Sequence, residues 1–229
     1  MMIKLIKWIG YDTHSEQLTK ITNGIFIAQF FNTGILLLLV HANFDEVGLP
    51  FVDKHLFNGP FYDYTEGWYA RVGHMIVQTM CINSIMPLGI EFMPIATKWF
   101  FQRRDQSWKE DHTQRLYTTK TSQIYQYMDL YSGPEFLIHF RYSSILNITF
   151  VTMMYGLGLP ILFPIAAFAY FILYLCARYQ VAYTYQMPPA LDDLLTKNAI
   201  NLLIFSPILL LLNGFWMLSN KQFFDSSVN

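Results

Sequence analysis

The sequence predicts an all-α, polytopic membrane protein, a helix bundle with about five transmembrane spans. Two observations predict this fold class. Hydrophobic residues make up 53% of the 229 residues and charged residues only 14%, well below the ~25% that is usual in soluble domains. The chain also contains several long stretches without an acidic or basic residue, and a transmembrane helix needs about 20 predominantly apolar residues.

The spans are predicted over residues 21–43, 68–99, 142–159, 161–184 and 198–219. The first of them occupies the 24 charge-free residues between Lys20 and Asp45. The second has Trp68 and Trp99 at its two ends, where aromatic side chains are typical of the membrane interface. Residues 21–219 are therefore expected to form one membrane domain.

The third and fourth spans come from a single run of 36 residues, Tyr142 to Ala177, that carries no Asp, Glu, Lys or Arg. One helix of that length would measure roughly 54 Å, far more than the ~30 Å apolar core of a bilayer. Residues that favour a turn or a helix break lie in its middle: Gly156, Gly158, Pro160 and Pro164. We therefore expect a hairpin of two short spans, and the alternative is one long kinked helix.

The loop charges predict the orientation. From Lys98 to Arg141 the chain carries seven Lys and Arg residues, whereas the stretch from Asp45 to Glu66 has five acids and one Lys. Loops rich in Lys and Arg stay in the cytoplasm. Residues 1–20 are then a cytoplasmic N-terminal segment, and the tail of residues 220–229 lies outside.

Composition and motifs argue against several classes of function. The net charge is −1 and no basic or zinc-finger motif is present, so nucleic acid is not an expected partner. Ser, His and Asp are scattered, and the six histidines show no HxxxH or HExxH spacing. We expect no enzymatic activity, no metal site and no cofactor.

Polar residues inside the predicted spans are the candidates for a functional role. The residues predicted to line a pore are Gln29, Asn32, Gln78, Thr79, Asn83 and Thr152. Such side chains are costly in lipid unless they face water or other helices. A hydrated permeation path needs a polar seam of this kind. Hydrogen bonding between helices of a packed bundle explains the same residues equally well.

Two acids lie close to the cytoplasmic ends of spans. Glu91 is near the end of the second span and Glu135 just precedes the third, so both are expected at an inner mouth where they would attract cations. A solvated or salt-bridged role at the interface is the alternative. For bending of the second span, Gly73, Pro87 and Gly89, together with Pro94, are the expected flexible points.

Three blocks of the sequence carry a family resemblance: "EQLTKITNGIFIAQFFNT", "GWYARVGHMIVQTM" and "GPEFLIHFRYSSILNITFVTMMYGLGLPILFP…YF…Y…RYQ". In order and spacing they resemble the anoctamin, OSCA and transmembrane channel-like superfamily, and the third block is most similar to the OSCA/CSC stress-gated cation channels. The resemblance covers roughly residues 13 to 218. It implies the pore-forming region of a mechanically or osmotically gated, calcium-permeable, non-selective cation channel, in contact with membrane lipids and cations.

The same resemblance implies that the five spans correspond to the fifth to ninth helices of a ten-helix core. A homodimer, or a partner chain that supplies the other helices, is therefore expected. Calcium activation is not expected, because Ile138, Tyr174 and Arg178 stand where calcium-binding acids of anoctamins would be. A phospholipid scramblase on the same scaffold and a non-conducting structural subunit of a larger membrane complex are the alternatives.

Overall fold

The computed structural model describes residues 6, 8, 10–43, 59–105, 123–134, 136–186 and 192–219. Over these residues the chain is 81% helical and contains no strand, which confirms the predicted all-α class. Its helices are α1 (His14–His41), α2 (Glu66–Asp105), α3 (Ile124–Tyr131), α4 (Ile138–Tyr155), α5 (Leu162–Tyr183), α6 (Leu194–Leu203) and α7 (Ser206–Leu218).

Four helical segments are long and apolar enough to cross a membrane. They are α1, α2, α5 and the segment Leu194–Leu218, which combines α6 and α7. The helix α4, where the third span is predicted, has 18 residues and is not among the four. The number of spans therefore stays a prediction at five.

The first two long helices begin with a threonine cap. The Thr13 hydroxyl accepts the Glu16 N–H, and the Thr65 hydroxyl accepts the Trp68 N–H. A side-chain oxygen at this position satisfies an amide that the first turn of a helix leaves without a partner. Because of its cap, α1 begins at His14 and extends into the segment predicted to be cytoplasmic.

Both long helices contain a π-helical turn. In α1 it spans Phe31–Ile35, and in α2 it spans Tyr69–Gly73. Each turn ends with an i→i+5 hydrogen bond, from the Leu36 N–H to the Phe31 carbonyl and from the His74 N–H to the Tyr69 carbonyl. Turns of this type are rare and occur frequently at functional sites. Gly73, an expected flexible point, is the last residue of the second turn.

The prolines of α2 lie inside a continuous helix. Because Pro87 has no N–H, the Asn83 carbonyl loses its partner four residues on. At Pro94 the carbonyl accepts a 2.9 Å hydrogen bond from the Thr97 hydroxyl. Gly89 is exposed, with no atom within 4 Å of the position that a Cβ would take.

The long apolar run breaks between α4 and α5, in the segment that the sequence indicates. The Gly156 N–H bonds the Thr152 carbonyl, and the Leu159 N–H bonds the Tyr155 carbonyl, which closes the end of α4. Gly158 lies directly against the Met217 side chain, so a larger residue would clash there. The pairing of α4 and α5 as a membrane hairpin stays a prediction.

The chain forms two compact units. The first comprises Met1–Ser84, Ile138–Tyr170 and Leu191–Asn229, and the second comprises Ile85–Leu137 and Phe171–Ala190. One boundary falls within α2, three residues before Pro87, and the other within α5.

In the first unit α4 packs against α1 and α7, and α6 packs against both α1 and α4. The core of this contact consists of Phe26, Leu146, Phe150 and Ala199. The rings of Phe26 and Phe150 meet edge to face, with centroids 4.8 Å apart. Such aromatic pairs contribute roughly 0.5–1.5 kcal/mol beyond the apolar area they bury.

Paired contacts show that α1, α4 and the α6–α7 segment run in the same direction. Near the start of these helices, Tyr142 contacts Thr196 and Asn23 contacts Asn198. Toward their ends, Met154 contacts Asn213 and Gly34 contacts Tyr155. Between α1 and α6, and between α4 and the α6–α7 segment, later residues therefore meet later residues.

In the second unit a lysine holds the end of α3. Lys98 Nζ donates to the carbonyls of Asp129, Ser132 and Gly133, at 3.2, 2.7 and 3.1 Å. The last carbonyls of a helix have no intrahelical partner, and a cation there also interacts favourably with the helix dipole. Gln102 adds a 3.0 Å bond to the Leu130 carbonyl.

Candidate functional site: interhelical polar contacts and the polar face of α2

Polar residues of α1 and α4 meet at the interface between these helices. The Thr33 hydroxyl lies 2.8 Å from the Gln29 carbonyl and 3.0 Å from Asn147 Oδ1. Asn147 is buried. Neither Thr33 nor Asn147 is among the predicted pore-lining residues, and their contact is a hydrogen bond between helices of the kind that the packed-bundle alternative requires.

Two of the predicted pore-lining residues, half-buried Gln29 and buried Thr152, each have a buried polar atom without a hydrogen-bond partner among the described residues. Gln29 Oε1 and Thr152 Oγ1 are both buried, and neither forms a hydrogen bond within the part of the chain that the structure describes. Leaving such a group without a partner costs roughly 1–3 kcal/mol. Each is therefore a place where a water molecule or another polar group would be stabilised.

The other four predicted pore-lining residues take different positions. Asn32 and Gln78 are exposed, whereas Thr79 and Asn83 are half-buried. The Thr79 hydroxyl donates to the Met75 carbonyl of its own helix, at 2.7 Å. Within the described part of the chain, no hydrogen bond joins these four residues to Gln29 or Thr152.

A second polar cluster lies toward the ends of α4 and α7. The Tyr64 hydroxyl donates to Asn213 Oδ1 at 2.7 Å, and Asn213 Nδ2 donates to the Met154 carbonyl at 2.6 Å. Burial raises the pKa of the Tyr64 phenol above its usual value of 10 and outweighs the opposite effect of the bond to Asn213. Asn213 is the only polar residue in the stretch "ILLLLNGFW", which is a signal for a buried partner that sequence analysis did not use.

Polar contacts also join α1 to α6 at their starts. Asn198 Nδ2 lies 2.7 Å from Asn23 Oδ1, and the Ser15 hydroxyl lies 3.4 Å from Asp192 Oδ2. Amide pairs of this kind hold neighbouring helices in register within a bilayer, where they contribute about 0.6–2 kcal/mol each. Sequence analysis did not identify these pairs, because their partners are more than 170 residues apart.

The start of α2 presents a polar face to an open cleft of about 690 Å³. Arg71, His74 and Gln78 are three and four residues apart, so they follow one side of the helix. All three are exposed. The residues that line the cleft are Pro60, Phe61, Gly67, Ala70, Arg71, His74, Met75 and Gln78. Of the predicted pore-lining residues, Gln78 lies here.

The predicted acidic pair is only partly within the described structure. Glu91 belongs to α2, but its side chain lies outside the described part, and Glu135 lies outside the described residues altogether. In the described ranges, no group of three or more His, Cys, Asp or Glu side chains is arranged to hold a metal ion.

Fold and polar contacts together define a class, that of all-α proteins with several apolar helices long enough to cross a membrane. Comparisons with protein-family models, with characterised proteins and with solved structures found no match. The resemblance to the anoctamin, OSCA and transmembrane channel-like superfamily therefore stays a prediction from the sequence motifs.

Proposed function

We propose that this protein is an integral membrane protein with five crossings and a cytoplasmic N-terminus. The parallel direction of α1, α4 and the α6–α7 segment supports this topology. If three helices of one bundle point the same way, the chain has to return between one and the next. The segments available for the two returns are α2 and α5, which are both long and apolar enough to cross.

In this topology α4 is a crossing although it is less apolar than the other four. Its polar side chains face protein rather than lipid: Ser143, Asn147 and Thr152 are all buried. A helix surrounded by other helices does not need the apolar surface of one that faces lipid. The 2.7 Å contact between Thr149 and Tyr170, across the break between α4 and α5, supports the hairpin.

We further propose that the membrane domain is the pore-forming region of a tension-gated, calcium-permeable, non-selective cation channel. The observation that carries this function is the pair of buried, unsatisfied polar atoms of Gln29 and Thr152 on two packed helices, one on each. Groups of this kind are the ones that water in a permeation path would satisfy. Glu91 and Glu135 would favour cations at the inner mouth.

In this proposal, bending of the helix α2 opens the channel. It contains the π-helical turn Tyr69–Gly73, two prolines, and a boundary between compact units three residues before Pro87. Kinks in helices occur at prolines and at π-bulges, where the backbone hydrogen bonds are already interrupted. Bending of α2 at Pro87 and Gly89 would change the shape of the permeation path along the helix without breaking further backbone hydrogen bonds.

The channel function is tested by recording from the full chain reconstituted in liposomes while pressure is applied to the patch. We expect pressure-evoked current and a bi-ionic reversal potential that shows calcium permeation. Thr152→Val, which removes the unsatisfied hydroxyl with little change in shape, should change unitary conductance. Thr149→Val is the matched control on the same helix, because its hydroxyl is already bonded. Folded, monodisperse protein that carries no current under pressure would exclude the channel function.

A phospholipid scramblase is the second candidate, and the open cleft beside Arg71 favours it. A polar face accessible from the side would let headgroups move along the helix while their acyl chains stay in lipid. Liposomes with fluorescent lipids and an external quencher measure this movement directly. Inner-leaflet lipids are protected from the external quencher. Loss of this protected fluorescence without current indicates a scramblase, and current without lipid movement indicates a channel.

A further inference from the structure

The cleft beside α2 combines a cation with apolar walls. Arg71, His74 and Gln78 line it from one face of the helix, while Phe61 and Met75 contribute apolar surface. Among the described residues, no acidic side chain lines the cleft. Asp63 and Glu66 lie in the sequence between the lining residues Phe61 and Gly67, and the Asp63 carboxylate accepts the Tyr64 N–H at 2.7 Å.

Within the described part of the chain, the Arg71 guanidinium, the His74 ring and the Gln78 amide form no hydrogen bond or ion pair with protein groups. A guanidinium carries five N–H donors arranged as a planar fork, a geometry that matches phosphate in a bidentate way. Among the described residues, these donors are not occupied by protein groups and are available to an anion that enters the cleft.

The position along α2 relates these donors to the layers of a bilayer. Arg71 follows Glu66, where α2 begins, by five residues, which is about 8 Å along a helix, and Gln78 lies about 10 Å further. The headgroup layer on each side of the apolar core is roughly 5–8 Å thick. A crossing α2 would place Arg71 at the boundary between headgroups and acyl chains, with Gln78 deeper.

We propose that this cleft binds the phosphate of a glycerophospholipid headgroup. Arg71 donates to the phosphate oxygens, and His74 and Gln78 donate to the phosphate or to the ester oxygens below it. The acyl chains leave the cleft along Phe61 and Met75. This site rests on the proposed crossing of α2 but not on conduction, and the cleft volume of about 690 Å³ suits a headgroup.

Binding is tested with the full chain in detergent micelles by fluorescence anisotropy of a labelled phosphatidic acid. We expect saturable binding that unlabelled phosphatidic acid displaces and that millimolar inorganic phosphate does not, because phosphate alone lacks the apolar contacts. Arg71→Gln should weaken binding by about tenfold or more, since a hydrogen bond to a charged group is worth roughly 1.5–3 kcal/mol. The affinity of Arg71→Lys should lie between those of the wild-type protein and Arg71→Gln, because lysine keeps the charge but lacks the planar guanidinium.

Arg104→Gln is the matched control, because Arg104 is an exposed arginine of the same helix that lies outside the cleft. If Arg71→Gln and Arg104→Gln weaken lipid binding equally, the effect is one of non-specific charge and the proposed site is overturned. Equal displacement by inorganic phosphate would assign the cleft to the free anion and overturn the lipid proposal. Should Arg71→Gln fail to fold, Gln78→Leu has to weaken binding for the proposal to stand. Binding in micelles with no pressure-evoked current would leave the site intact and exclude only the channel.

Discussion

The Tyr155 hydroxyl donates a 2.9 Å hydrogen bond to the Gly34 carbonyl, which lies inside the π-helical turn of α1. Tyr155 is fully buried, and its side chain joins the last turn of α4 to the point where the regular hydrogen bonding of α1 is interrupted. The bond therefore fixes an irregular segment of one helix against the end of another.

Replacing Tyr155 with Phe should lower the thermal stability of the protein. A net hydrogen bond contributes about 0.5–1.5 kcal/mol, and for a chain of this length each kcal/mol shifts the melting temperature by roughly 2–4 °C. A thermal scan in detergent measures the change. Tyr179→Phe, which alters an exposed tyrosine, is the control. Equal melting temperatures for the two variants would show that the bond to Gly34 contributes nothing.

The Tyr64 and Asn213 side chains should prove energetically coupled. Tyr64→Phe and Asn213→Ala each remove the same 2.7 Å bond. We therefore expect the sum of their losses of unfolding free energy to exceed the loss in the double variant. A coupling of about 1 kcal/mol is expected from a double-mutant cycle. Additive losses would mean that the two groups contribute independently.

Tyr64 should also make stability depend on alkaline pH. Because burial raises the pKa of its phenol, the folded state keeps a proton that the unfolded state loses above about pH 10. The stabilisation is fully present below that pH and is lost as the pH rises toward the folded-state pKa. Tyr64→Phe should make the decline shallower by up to about 1.4 kcal/mol per pH unit. Unfolding is measured between pH 9 and 11.5. Equal slopes of unfolding free energy against pH for the wild-type protein and Tyr64→Phe would contradict this prediction.

Lys98 should limit the local opening of α3 and of the residues that directly follow it. In Lys98→Met the carbonyls of Asp129, Ser132 and Gly133 lose their shared donor while the apolar stem remains. Bonds to charged groups contribute roughly 1.5–3 kcal/mol, so amide exchange over residues 124–134 should accelerate by about tenfold or more. Hydrogen exchange with mass detection measures this. Unchanged protection, as expected for Arg104→Gln, would argue against the role of the lysine.

The fold class followed from composition and from charge-free runs, because the requirements of a bilayer act on whole segments. The helix break between Tyr155 and Leu162 was also located correctly, since Gly and Pro act on the local backbone. The start of α1 at His14 was not expected. Lys20 bounds the span predicted from the charge pattern, whereas the Thr13 cap allows the helix to begin before it.

The site could be predicted only in part. Thr152 is buried and Gln29 is half-buried with a buried Oε1, whereas Asn32 and Gln78 are exposed, and a pore lined by these residues stays a prediction. The pair Tyr64 and Asn213 was missed because its members are 149 residues apart and no periodicity connects them. The π-helical turns escaped prediction because they depend on packing between helices and leave no fixed pattern in the residues.

The five-crossing topology is tested most directly by the side of the membrane on which Leu157 and Lys197 lie. Both are exposed, Leu157 in the break between α4 and α5 and Lys197 at the start of α6. In a background with Cys81→Ser and Cys176→Ala, Leu157→Cys and Lys197→Cys are treated separately with a membrane-impermeant maleimide on intact cells or sealed right-side-out vesicles. The topology predicts labelling of the Leu157→Cys variant from outside and of the Lys197→Cys variant only after permeabilisation. Labelling of both variants from the same side would contradict the crossing of α5. It would also contradict the parallel direction of α4 and the α6–α7 segment, which requires that crossing.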